Sequence, residues 1–156
     1  SLIAPFWSAI TDAYSKKDFN WIKRVIKQLK RYIFGSIFIV ILMYLISDWF
    51  YSIWIGESIR VDNMLSLFMG IYVVIFCYLL IFAHFLNGVG KLRIQIIVNS
   101  IASIINIPLS YFFASTSMGI SGIIFATICS LTFVCIFTVI QSNKIINNTA
   151  IGIWNK

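Results

Sequence analysis

Residues 94–143 read IQIIVNSIASIINIPLSYFFASTSMGISGIIFATICSLTFVCIFTVIQSN, a run without one Lys, Arg, His, Asp or Glu. A charged side chain at the bilayer centre costs roughly 2.5–3.5 kcal/mol on insertion scales, so long uncharged apolar runs mark membrane spans. A crossing helix needs roughly 20 residues, and this run holds two. Working outward, Asn63 to Ala83 is also uncharged, and Tyr32 to Gly56 carries only Asp48, which gives one span each. The chain reads as all-α, a polytopic transmembrane helix bundle. Its four complete spans are expected at about 32–50, 64–85, 94–113 and 120–140, each near the length of one crossing.

Composition points the same way. A chain of 156 residues that is 60% apolar, 17% aromatic and only 11% charged would expose more apolar surface in water than soluble monomers tolerate. The net charge of +7 does not point to nucleic acid, because its distribution fits the positive-inside rule better. Lys16, Lys17, Lys23, Arg24, Lys27, Lys30 and Arg31 crowd into one segment before the first complete span. If every span crosses, that segment, the Lys91/Arg93 turn and the Lys144 tail share one side, expected to be cytoplasmic.

Ahead of the first complete span, residues 1–14 read as the end of a truncated transmembrane helix, which Pro5 would kink. Residues 15–31 read as a basic amphipathic helix with Asp18 as N-cap. Phe19, Ile22, Val25, Ile26, Leu29 and Ile33 share its apolar face, and Lys23, Lys27, Lys30 and Arg31 lie off it. Two readings stand: a helix lying in the headgroup plane against anionic lipid, or a solvated helix leading into the next span. The first complete span ends in Trp49, Phe50, Tyr51 and Trp54, aromatics suited to a membrane–water interface. The second stops at Asn87-Gly88-Val89-Gly90, and residues 141–156 read as a cytoplasmic tail.

No catalytic constellation is present: one His, no phosphate loop and no paired carboxylates on one helix face. An enzyme, a metal site or a cofactor is not expected. Cys77, Cys129 and Cys135 lie inside spans, odd in number, and read as small packing residues. The third span carries the candidate site. Gln95, Asn99, Ser103, Asn106 and Ser110 fall within an arc of about 80° at 100° per residue, a polar stripe along a whole crossing helix. Amides facing lipid would go unsatisfied, so the stripe faces protein or water. It would then either line a hydrated cavity for a polar substrate or bond neighbouring helices together. In the fourth span, Gly122, Ala126 and Ser130 recur every four residues, as in a packing seam. His84 and Asp48 read as interfacial residues more readily than as a gate or an ion site.

Pro5-Phe6-Trp7-Ser8-Ala9, Asp12-Ala13, Asp18 and Trp21-Ile22 resemble an element of bacterial polysaccharide biosynthesis membrane proteins. These are the Wzx-type O-antigen flippases of the multidrug/oligosaccharidyl-lipid/polysaccharide exporter superfamily. Trp54-Ile55-Gly56, Asn87-Gly88-Val89-Gly90-Lys91 with Gln95, and Gly119-Ile120-Ser121-Gly122 with Ala126-Thr127 continue the resemblance in order. It implies a C-terminal fragment of a two-lobe transporter of about twelve helices, containing the end of the eighth and the ninth to twelfth. It also implies a multi-pass protein of the bacterial inner membrane that flips undecaprenyl-pyrophosphate-linked oligosaccharide. The implied partners are that lipid-linked oligosaccharide, membrane lipids and other polysaccharide assembly proteins. A multidrug or cation antiporter of the same superfamily and a non-transporting membrane scaffold are the alternatives. The cationic cavity residues of the flippases find no clear counterpart inside these spans.

Overall fold

The computed structural model describes residues 4–54 and 61–155. The expected loop charges Glu57 and Arg60, the Ile55-Gly56 pair and the residues before Ala4 lie outside that range. Among the described residues there are six α-helices and one short 3-10 turn, with no strand. They are α1 (Ala4–Ser15), α2 (Phe19–Leu45), α3 (Ser47–Trp54), α4 (Asn63–Val89), α5 (Arg93–Ala114) and α6 (Ile120–Ile146), followed by the turn Gly152–Asn155. α4, α5 and α6 are each long and apolar enough to cross a membrane, and α2 with α3 qualifies as a bent pair.

The amphipathic segment and the first complete span are one helix. α2 runs unbroken for 27 residues from its N-cap, where the Asp18 carboxylate accepts from the Trp21 amide at 3.0 Å. Its apolar face is covered by protein. Ile22 and Ile26 are buried among Ile10 and Ala13 of α1, Phe82 and Phe85 of α4 and Ile145 of α6. The segment and the span form one continuous helix whose apolar face packs on α1, α4 and α6. Lys23, Lys27 and Arg31 are exposed, but Lys30 is half-buried.

The span then breaks earlier than the sequence suggests. At Ile46 the chain bends by 56° into α3. At the bend the Ser47 hydroxyl donates to the Tyr44 carbonyl at 2.7 Å, and Asp48 sits in the first turn of α3, where the helix dipole favours an anion. The aromatic cluster therefore belongs to a separate short helix, with Trp49 and Trp54 exposed.

α4 starts on an Asp62 N-cap and continues through Asn87 and Gly88, so only Gly90, at φ +74°, makes the left-handed reversal. α6 likewise passes the expected boundary at Ile140 and buries Gln141, Ser142, Ile145 and Ile146. What reads as a tail is folded back. Lys91 bonds the Asn155 side chain, and the Lys144 ammonium lies 4.7 Å from the Trp154 ring centre.

These contacts gather the basic segments at one end of the bundle. Thr11 of α1 donates to the Gly88 carbonyl at 2.8 Å, and Gln141 of α6 donates to the Lys91 carbonyl at 3.1 Å. At the opposite end, Ser121 at the start of α6 donates to the Asp62 carboxylate at 2.9 Å. One carboxylate thus caps α4 and tethers the N-terminus of α6, where both helix dipoles favour it. Consecutive long helices alternate in direction, as crossing helices joined by short turns must.

Candidate functional site

The candidate site lies on α5, so the packing of α5 sets its geometry. Ile94, Val98 and Ala102, spaced at four residues, are buried with Leu79 of α4 and with Val134 and Cys135 of α6. α5 and α6 approach closely at Gly122, where an added Cβ would stand 2.5 Å from the Phe113 carbonyl oxygen. Ala126 is fully buried on the same face, and Ser130 follows one turn later. The small-residue repeat is therefore the packing seam its spacing predicts, and a glycine is required at its head.

The polar stripe runs immediately beside this seam, and the structure divides it. In its outer half the Asn106 amide donates to the Ser130 hydroxyl across to α6 at 3.1 Å, and the Ser110 hydroxyl lies 3.4 Å from the Asn106 carbonyl oxygen. These three are half-buried and form an interhelical polar cluster. In its middle, Asn99 and Ser103 are exposed. The Asn99 amide returns to the Gln95 backbone carbonyl of its own helix at 2.7 Å. Such a bond leaves the Asn99 carbonyl oxygen available as an acceptor. Gln95, at the basic end, is half-buried, and its carbonyl oxygen has no hydrogen-bond partner among the described residues. The stripe is thus structural bonding at one end and an open hydrogen-bonding strip in the middle. Pro108 sits inside α5 without ending it.

Other hydroxyls within the bundle need no water. Thr127, Thr132, Thr138 and Ser142 of α6 each donate to the carbonyl four residues back. His84 is half-buried on α4. Among the described residues no His, Cys, Asp or Glu group of three or more could hold a metal ion.

Three contacts go beyond the sequence reading. The Asp62–Ser121 tether had a local signal, since an Asp directly before an apolar run marks an N-cap, but its second partner is 59 residues away. The Gln141–Lys91 bond lies beyond the expected helix end at Ile140, although Ile145 and Ile146 continue the apolar pattern of α6. The third is Lys30, whose ammonium lies 5.1 Å from the Phe82 ring centre and 5.9 Å from that of Tyr78.

Residues 7–112 match the family described as MatE. The match takes in most of α1, all of α2 to α4 and the whole stripe of α5. No curated protein and no solved structure matches the chain.

Proposed function

Because the chain belongs to the MatE family of multi-pass membrane exporters, we propose that it flips undecaprenyl-pyrophosphate-linked oligosaccharide repeat units across the bacterial inner membrane for O-antigen, capsule or exopolysaccharide synthesis. On this reading the four crossings form part of one lobe of a two-lobe transporter, and the mechanism is an alternation of access without covalent chemistry. The observation that carries it is the outward middle of the stripe. Asn99 and Ser103 present an amide and a hydroxyl on a crossing helix. In hydrocarbon such groups are costly, whereas against water or a sugar they exchange one hydrogen bond for another. The chain also has no Asp or Glu after Asp62, so α4, α5 and α6 lack the carboxylate with which a cation antiporter would compensate its charged cargo. Uncharged hydrogen-bonding groups suit sugars better than they suit cations.

Depletion of the protein in its host tests this. The expected result is loss of surface polysaccharide, with the lipid-linked repeat accumulating and its sugars still facing the cytoplasm. Normal polysaccharide combined with new sensitivity to cationic drugs would instead support the antiporter. An unchanged polysaccharide and an unchanged drug profile would leave a non-transporting scaffold.

A further inference from the structure

We propose that the cleft between α2, α4 and α6 is a discrete site for one anionic phospholipid, with its phosphate held by Lys30 and one acyl chain seated below. This site is distinct from the stripe on α5 and does not rest on the identity of the transported substrate. The cleft has a volume of about 570 Å³ and is walled by Ile33 and Ile37 of α2, Tyr78 of α4, and Cys135, Ile136 and Val139 of α6. That volume lies within the roughly 300–1,000 Å³ of small-ligand sites.

Three observations point to an anionic lipid. The cleft is lined mostly by apolar side chains, the Thr132 hydroxyl being turned onto the Ile128 carbonyl at 2.7 Å, and Lys30 is its one charged lining residue. The faces of Tyr78 and Phe82 hold the Lys30 ammonium without neutralising it, and among the described residues no carboxylate pairs with it. Lys23, Lys27 and Arg31 on neighbouring turns of α2 are exposed and add to the positive field around Lys30. The depth also fits. From Lys30 to Ile37 the helix rises about 10 Å, less than half of the ~30 Å hydrocarbon thickness, so the pocket stays within the leaflet whose headgroups Lys30 meets. A lipid of that leaflet fills it with its phosphate at the lysine and its chain against the isoleucines.

Native mass spectrometry of the purified protein, titrated with phosphatidylglycerol or phosphatidylethanolamine, tests the assignment. One phosphatidylglycerol should be retained per chain in preference to phosphatidylethanolamine. Lys30→Gln should weaken that retention roughly tenfold, the effect of losing one charge-assisted hydrogen bond, while Lys30→Arg should keep it. Ile136→Trp should weaken it by filling the cleft with no change of charge, and Lys27→Gln, which removes an exposed charge and only part of the field, should weaken it far less than Lys30→Gln does. Equal losses in Lys27→Gln and Lys30→Gln, no effect of Ile136→Trp, or equal retention of the two lipids would overturn the site. Displacement of the phosphatidylglycerol by an equimolar polyprenyl diphosphate would assign the cleft to another lipid and overturn the proposal as well.

Discussion

At the residue scale, the stripe separates into positions that hold the bundle and positions that face outward, and the two kinds respond differently to substitution. Asn106 gives a hydrogen bond to Ser130 on the facing helix. Asn106→Leu should therefore cost roughly 0.6–2 kcal/mol, the range for hydrogen bonds between membrane helices, and show as a lower thermal midpoint or lower membrane abundance. Asn99 bonds only to its own helix, so Asn99→Leu should leave abundance near normal. In a Cys-free background, Asn99→Cys should react with a small water-soluble thiol reagent. Ile104→Cys, which is also exposed but lies on the apolar side of α5, should not. Equal reactivity at both positions would place the stripe in no special environment.

At the element scale, α2 departs furthest from expectation. Its first half is amphipathic and basic and its second half apolar, a change of composition that reads as two elements. The structure joins them in one helix that runs unbroken through Arg31 and Tyr32, and it continues past Gly35 and past the Ser36 hydroxyl bonded to the Ile33 carbonyl at 2.8 Å. A continuous helix fixes the distance between its ends. Spin labels at Lys23 and Met43, both exposed, should give a narrow distance distribution with its backbone component near 30 Å, from twenty residues at about 1.5 Å each. A markedly shorter or broad distribution would restore a hinge between a surface-lying helix and the span.

The same elements show why some of the fold was legible in the sequence and some was not. α4, α5 and α6 could be placed to within a few residues at most of their ends, because missing charge over a crossing length is a strong, local signal. The 56° bend at Ile46 falls inside an apolar run with no Gly or Pro beside it, so a count of missing charges does not report it. At the candidate site, the arc of polar residues on α5 was visible from 3.6-residue periodicity. Which of its members would find a partner depended on where α6 packs, and that is set by the close approach at Gly122.

At the scale of the whole molecule, the three basic segments meet at one end, joined by the Thr11–Gly88 and Gln141–Lys91 bonds, and Asp62 ties α4 to α6 at the other. The functional reading needs those ends on opposite sides of a membrane, with every long helix crossing it. Single cysteines at Asn147, at the basic end, and at Ser117, in the α5–α6 turn, test this in intact cells with a membrane-impermeant thiol reagent; both positions are exposed. Ser117→Cys should label, and Asn147→Cys should be protected until the membrane is permeabilised. Labelling of both, or of Asn147→Cys alone, would contradict the crossing arrangement on which the exporter account rests.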